Sequence, residues 1–222
     1  MESTISGSTG YSGMLLLKKI LLVCGILSSV LYVAMNIFIP MEWSSYSSFS
    51  QTVSELSAIG APTRPLWVPL GVAYAILAIV FGGGVWMSGH NNHKLSIVGI
   101  LLVIYRILSL AWPPMHLREA LAAGEKSLTD TMHIVFTVAT VLLMVLEICF
   151  GAAALGKVFR LYSIATLLTL LFFGILTSLL APKVQANLPT PWAGVWERIN
   201  IGVYLLWVVV LAIILLRKEK AN

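Results

Sequence analysis

The chain has 222 residues, of which 59% are hydrophobic and only 10% are charged, with a formal net charge of +5. Soluble domains carry about 25% charged residues, so this composition excludes a soluble globular protein and indicates an integral membrane protein. The basic residues are scattered near the ends of apolar runs, as membrane orientation signals are, which argues against a nucleic-acid-binding patch. We therefore expect no nucleic acid partner.

Six apolar runs are long enough to cross a bilayer, which takes about 20 residues in a helix. The predicted spans are 20–39, 66–88, 95–112, 130–155, 161–180 and 196–216. They use nearly the whole chain, so we predict an all-α fold, a six-transmembrane-helix bundle that forms a single membrane domain over residues 14–217. A Ser- and Gly-rich mobile tail, 1–13, precedes it, and a short cytoplasmic tail, 218–222, follows it.

The distribution of Lys and Arg predicts the orientation, because short cytoplasmic loops retain positive charge. With the N-terminus inside, the cytoplasmic side holds more of these residues than the outer side, so we predict that both termini are cytoplasmic. The predicted inner set is Lys18, Lys19, Lys94, Lys157, Arg160, Arg217, Lys218 and Lys220, and the outer set is Arg64, Arg118, Lys126, Lys183 and Arg198.

The fourth span carries a polar stripe along an otherwise apolar helix. At helical spacing one face collects Asp130, His133, Thr137, Thr140, Met144 and Glu147. A charge at mid-bilayer costs about 2.5 to 3.5 kcal/mol on insertion scales, so this face is expected to turn away from lipid. Shorter polar stripes follow the same spacing in other spans: Ser29, Tyr32 and Asn36; Tyr105, Arg106, Ser109 and Trp112; Tyr162, Thr166, Thr169, Phe173 and Thr177; Glu197, Asn200, Tyr204 and Trp207. For the uncharged members, hydrogen bonding between helices is the favoured explanation.

Ionisable residues are concentrated at the predicted outer end of the bundle, and we expect them to converge there. They are Glu55, His116, Arg118, Glu119, Asp130, His133, Glu197 and Arg198, with Arg106 about 9 Å deeper. Asp130 and His133, one turn apart, are the candidate catalytic acid/base pair. Two simpler interpretations stay open, in which Asp130 only caps its helix and His133 is a satisfied buried histidine. The candidate ligand-binding residues are Glu55, Arg106, His116, Arg118, Glu197, Arg198, Asn200 and Tyr204, with Arg106 or Arg198 suited to an anionic group.

Two further segments bear on this hypothesis. Residues 46–65 show helix-like apolar spacing at Phe49, Val53, Leu56 and Ile59, which predicts a short amphipathic helix on or in the outer face, acting as a lid. Glu147 lies some 26 Å below Asp130 along the helix, near the inner leaflet. We expect it to pair with Lys157 or Arg160, although a proton site on a path through the bundle is the alternative.

Metal-ligand types occur at the outer end, but no H-E-x-x-H, H-x-x-x-H or C-x-x-C spacing does, so we predict no metal site. The sequence indicates no particular cofactor.

Three segments carry a resemblance to a known family: SQTVSELSAIGAPTRPLW after the first span, PMHLRE with LTDTMH around the start of the fourth, and TPWAGVWERINIGVYLLW entering the sixth. With these motifs the chain resembles the multi-pass prokaryotic membrane proteins of domain-of-unknown-function family 998. The resemblance covers nearly the whole chain and implies a six-span fold in a prokaryotic cytoplasmic membrane. It implies no activity and no catalytic residue.

The leading hypothesis is an outward-facing polar pocket, covered by the 46–62 segment, that binds or modifies a lipid or another amphipathic small molecule. The first alternative is a proton-coupled or small-solute transporter, in which the stripe of the fourth span continues to Glu147. The second is a non-catalytic membrane scaffold whose buried charges fix helix pairing. The sequence does not determine whether the protein is an enzyme, nor its oligomeric state.

Overall fold

The structure is a computed structural model that describes the backbone of residues 5–221 and the side chains of residues 13–219. Its α-helices are α1 (Ile5–Phe38), α2 (Arg64–Ser88), α3 (His93–Leu110), α4 (Arg118–Ala122), α5 (Leu128–Ala154), α6 (Lys157–Ser178), α7 (Ala181–Gln185) and α8 (Ala193–Ala221). Two 3₁₀ turns, Ile39–Glu42 and Val53–Ser57, follow α1. Six of the helices, α1, α2, α3, α5, α6 and α8, are long and apolar enough to cross a membrane, which confirms the predicted six-span all-α fold.

The predicted spans and the observed helices agree to within a few residues, except at the N-terminus. There α1 begins at Ile5, inside the segment predicted as a tail. Residues 1–4 lie outside the described residues, so the mobility of the tail stays a prediction. At the other end α8 continues to Ala221, through most of the predicted 218–222 tail.

The six spanning helices form a closed ring in chain order. Each packs against the next, α1 on α2, α2 on α3, α3 on α5, α5 on α6 and α6 on α8, and α8 then packs on α1. Short connections explain this order, because a tight turn at the end of a helix leaves its successor as an antiparallel neighbour. The interior of the ring is filled by large side chains, among which Trp207, Tyr204 and Phe81 are at most 1% exposed.

The two ends of the ring differ. At what we call the loop end lie the long connections 39–63, 111–127 and 179–192, with α4 and α7. The opposite, terminal end has the tight α2–α3 and α5–α6 turns, the start of α1 and the end of α8. There Lys18 of α1 and Glu219 of α8 form an ion pair at 3.0 Å. The loop end corresponds to the predicted outer face, although the orientation itself stays a prediction.

The polar stripes face the inside of the helix packing, as predicted, with one exception. Asp130, His133, Thr140, Met144 and Glu147 of α5 are buried, and the stripe members of the other spans are buried or half-buried. Thr137 is exposed, however, and its hydroxyl donates to the carbonyl of His133. An internal hydrogen bond of this kind satisfies a threonine on a lipid-facing surface, so this residue did not have to face inward.

Candidate functional site

A loop segment, residues 46–58, closes the loop end, and we call it the roof. Its 3₁₀ turn begins with a capping box, in which Glu55 accepts from the Thr52 amide at 2.7 Å and the Thr52 hydroxyl at 3.0 Å. Val53 and Leu56 are buried in an apolar cluster with residues of α1 and α2. The predicted amphipathic helix is therefore a single 3₁₀ turn.

The predicted apolar face of that helix is only half correct. Val53 and Leu56 point inward, but Phe49 is 65% exposed and Ile59 36% exposed. The helical register fails because Thr52 and Ala58, on either side of the turn, have extended backbone. Ile59 instead pairs with the 115–116 segment, its amide donating to the Met115 carbonyl at 2.7 Å.

Glu55 and Arg118 form a buried two-pronged ion pair beneath the roof. The Arg118 Nε and Nη2 each donate to one Glu55 carboxylate oxygen at 2.7 Å, and the two residues are 8% and 0% exposed. Arg118 Nη1 also donates to the Thr190 hydroxyl at 3.2 Å, which in turn donates to the Ser50 carbonyl at 2.7 Å. This pair joins the roof, α4 and the segment before α8.

The second turn of α8 supports the roof from below. Glu197 accepts from the Val53 amide at 2.5 Å and from the Ser54 hydroxyl at 3.5 Å. Arg198 donates to the Ser48 carbonyl at 2.9 Å and to the Tyr46 hydroxyl at 2.8 Å. Burial raises the pKa of Tyr46 despite the nearby Arg198, so its hydroxyl stays protonated. It can then accept from Arg198 while it donates to a roof carbonyl.

Asp130 and His133 do not hydrogen-bond to each other, and the open interpretation of Asp130 as a helix cap is confirmed. Their catalytic role stays a prediction. Asp130 accepts from the His116 amide at 2.7 Å and lies 2.9 Å from His116 Nδ1. It also caps α5 by accepting from the amide and hydroxyl of Ser127, at 2.8 and 3.0 Å. His133 Nδ1 bonds instead to the Pro113 carbonyl at 2.8 Å. The 113–116 segment passes over the start of α5 and supplies the hydrogen-bond partners of both side chains. Asp130 and His133 therefore bond to this loop and not to each other.

Most of the predicted outer residues are thus brought together, but mainly as partners of one another and of the roof. Glu119 is exposed and lies outside this network. Asn200 is directed sideways, since its amide donates to the Leu170 carbonyl of α6 at 2.5 Å. Two apolar grooves, of about 290 and 270 Å³, lie between α2 and α3 and between α5 and α6, and neither is lined by a predicted site residue.

A second group of charged and aromatic residues lies deeper, in the interior of the ring. The Arg106 side chain is 3% exposed, and its guanidinium carbon lies 3.9 Å from the ring centre of Tyr105, 4.7 Å from that of Tyr74 and 5.6 Å from that of Tyr204. Its Nη2 donates to the Tyr204 hydroxyl at 3.4 Å, and its Nε has no hydrogen-bond partner. We call these three tyrosines and Arg106 the arginine cage.

Glu147 borders the arginine cage, which corrects its expected pairing with Lys157 or Arg160. The Tyr204 hydroxyl donates to Glu147 Oε2 at 2.5 Å, whereas Oε1 has no partner, and the residue is fully buried. Tyr204 is the twelfth residue of α8, about 16 Å along that helix, so Glu147 contacts the interior of the ring rather than the cations that begin α6. Its position near the inner leaflet stays a prediction.

Sequence reasoning missed Tyr74, which completes the arginine cage from α2. A tyrosine in the middle of an apolar span was the available signal, because its hydroxyl needs a partner there. Tyr32 was noted, and its ring lies 4.7 Å from that of Tyr74, extending the aromatic lining toward α1. Among the described residues, no three His, Cys, Asp or Glu side chains are grouped closely enough to hold a metal ion.

A ring of six apolar helices with a buried arginine and a buried carboxylate inside it defines an integral, multi-pass membrane protein with an ionisable interior. The family model described as "Protein of unknown function (DUF998)" matches residues 26–214, and the chain belongs to that family. The matched range contains every candidate residue discussed above, and it confirms the resemblance read from the three loop-end segments. No curated protein and no solved structure matches the chain.

Proposed function

We propose that this protein binds an amphipathic small molecule, such as a lipid, with its anionic group against Arg106 inside the ring and beneath the roof. One observation carries the proposal. Arg106 is a buried cation with five N–H donors, yet it makes a single 3.4 Å hydrogen bond, and its buried Nε has no partner.

The chemistry of guanidinium favours an anion at this place. A buried charge with too few hydrogen-bond partners is costly, and the tyrosine rings around Arg106 compensate for only part of that cost. A carboxylate or phosphate accepts two parallel N–H bonds from one guanidinium, which satisfies Nε and an Nη together. The rings of the arginine cage would then pack against the apolar part of the same molecule.

The loop-end network supports a role for the roof in entry. Arg118, Glu197 and Arg198 all bind the roof, so lifting it requires that several charged hydrogen bonds break together. Such a network favours a closed state that a ligand opens only by offering equivalent contacts. The alternative route for an amphipathic molecule is sideways from the bilayer, between two helices of the ring.

A modifying activity is a second candidate, and the Asp130–His116 contact favours it. A carboxylate 2.9 Å from Nδ1 orients a histidine so that its other nitrogen is available as a general base. His116 is half-buried at the loop end, so it is accessible to a group held under the roof. In this scheme the base is His116 rather than the predicted His133.

Thermal unfolding of detergent-purified protein tests the binding proposal. The probes are dodecyl phosphate, dodecanoate and, as the uncharged comparison, dodecanol. A ligand present at 100 times its Kd adds about 2.7 kcal/mol to stability, which raises Tm by several degrees. We expect the two anions to raise the Tm of the wild type and of Lys126→Gln, an exposed loop-end control, but not that of Arg106→Gln.

Further variants separate the other functions. Arg106→Lys keeps the charge but loses the two-pronged geometry, so it should retain a reduced shift, which guards against simple misfolding of Arg106→Gln. Equal shifts in the wild type and Arg106→Gln, or an equal shift with dodecanol, would overturn the proposal. Loss of proton or solute uptake into proteoliposomes on Glu147→Gln would favour a transporter. The absence of any Tm shift with the probes would favour a scaffold.

A further inference from the structure

The groove between α5 and α6 lies at the terminal end, away from the arginine cage. It has a volume of about 270 Å³ and an almost entirely apolar lining. Small side chains of α5 open it, namely Cys149, Ala152 and Ala153, and larger ones of α6, Ile164 and Leu167, form its other wall. Cys149, Ala153 and Ile164 are exposed, so the groove faces the hydrocarbon of the bilayer.

Two cations stand at the end of this groove without acidic partners. Arg160 belongs to its lining, and its Nε donates to the Ala152 carbonyl at 3.2 Å. Lys157 is exposed, three residues earlier on α6. The carboxylate expected to pair with them, Glu147, is turned into the ring toward Tyr204. Within residues 13–219, no carboxylate lies within 4.0 Å of either cation.

We propose that this groove is a binding site for an anionic phospholipid of the leaflet at the terminal end. One acyl chain occupies the apolar groove, and the headgroup phosphate lies between Lys157 and Arg160. The match is one of charge, since basic residues beside a cleft between membrane helices attract anionic headgroups. The site is separate from the arginine cage and does not depend on the function proposed above.

The groove between α2 and α3 provides a comparison within the same molecule. Its lining is Gly83, Trp86, Gly99, Ile100, Val103 and Ile104, and it contains no charged residue. Any lipid chain fits such a surface, so selectivity for a headgroup is expected only at the α5–α6 groove. The difference between the two grooves lies in the cations rather than in their volumes.

Cys149 allows the proposal to be tested directly, because it lines the groove and is exposed. In a Cys24→Ser background, the labelling rate of Cys149 by N-ethylmaleimide is measured in detergent while phosphatidylglycerol or phosphatidylcholine is added. We expect phosphatidylglycerol to slow labelling at concentrations at which phosphatidylcholine does not. Each removed charge should weaken this protection about fivefold, so Lys157→Gln with Arg160→Gln weakens it about 25-fold.

Matched variants exclude indirect effects. Lys94→Gln with Arg217→Gln removes two exposed cations from the same end and should leave protection unchanged. Arg160→Lys, which keeps the charge, should retain most of the protection and so controls for a folding defect. In native mass spectrometry, Ala153→Leu should fill the groove and lose bound phosphatidylglycerol, whereas Ala165→Leu, exposed on α6 outside the groove, should not. Equal protection by both lipids, or protection that persists without the two cations, overturns the site.

Discussion

Glu55 is the residue on which the loop end most depends, because its carboxylate accepts both from the Thr52 cap and from Arg118. The pair is buried, so the effect of a substitution on stability depends on whether one partner or both are replaced. Replacing both partners with apolar residues is often tolerated, whereas removing one leaves the other charge buried and unpaired.

Glu55→Gln should therefore destabilise the protein by about 3 to 5 kcal/mol, since Arg118 loses its counter-charge in a buried site. Thermal unfolding in detergent, followed by circular dichroism, measures the change. Glu119→Gln is the matched control, because that residue is exposed and one position from Arg118, and it should shift stability by less than about 0.5 kcal/mol. Equal effects of the two substitutions would show that the ion pair is not needed for stability.

At the centre of the ring, Arg106 and Glu147 are a second pair of buried charges whose coupling can be measured. No direct ion pair within 4.0 Å joins them, but the Tyr204 hydroxyl accepts from one and donates to the other. We expect Arg106→Gln and Glu147→Gln each to destabilise the protein and the double variant to be more stable than their sum predicts, by about 0.5 to 3 kcal/mol. Glu147→Gln combined with the distant Glu119→Gln should be additive. Strict additivity of the first pair would mean that Tyr204 does not couple them.

The hydrogen-bond partners of individual side chains were the least predictable part of the structure. The helical spacing of Asp130 and His133 correctly placed both on the buried face of α5. It did not predict that residues 113–116 would supply their partners, because loop conformation carries no periodic signal. Glu147 and Tyr204 are 57 residues apart, and their contact depends on the rotation of two helices about their axes, which a polar stripe fixes only approximately.

At the scale of helices, close packing of α2 and α3 depends on a glycine. A Cβ atom added at Gly99 would clash with the backbone nitrogen of Trp86, so the two backbones approach as closely as small residues allow in membrane helices. A glycine is visible in the sequence, but the sequence does not identify the helix that it contacts.

Gly99→Ala should consequently force α2 and α3 apart and lower the Tm, because the obstructing atoms belong to the backbone and cannot rotate away. Gly83→Ala is the control, since nothing lies within 4 Å of its added Cβ. Alanine is favoured over glycine within a helix by about 0.5 to 1 kcal/mol, so that variant should be neutral or slightly stabilised. A comparison of the two unfolding temperatures in one detergent decides the point, and a lower Tm for Gly83→Ala than for Gly99→Ala would contradict it.

Helix positions themselves were largely predictable, because about 20 consecutive apolar residues have few alternatives to a membrane span. The roof was not, since Phe49, Val53, Leu56 and Ile59 have helical spacing but only Val53 and Leu56 are buried. In a segment this short, capping by Thr52 and Glu55 and packing on α1 and α2 outweigh the periodicity.

Across the whole molecule, the ring separates two chemically different ends. At the loop end Glu55, Arg118, Asp130, Glu197 and Arg198 form internal bonds, and the exposed Lys126 and Lys183 are accompanied by the exposed acids Glu119 and Glu125. At the terminal end exposed Lys and Arg predominate, namely Lys94, Lys157, Arg160, Arg217 and Lys218. An excess of Lys and Arg on one side is the feature that orients a membrane protein, and that side normally faces the cytoplasm.

This asymmetry predicts that the terminal end, with both chain termini, faces the cytoplasm. In a Cys24→Ser, Cys149→Ser background, Glu125→Cys marks the loop end and Asn91→Cys marks the α2–α3 turn at the terminal end, both at exposed positions. A membrane-impermeant maleimide added to intact cells should label Glu125→Cys at once but Asn91→Cys only after permeabilisation. The reverse pattern would mean that the orientation is inverted. The roof would then open to the cytoplasm, and the α5–α6 groove would take its lipid from the outer leaflet.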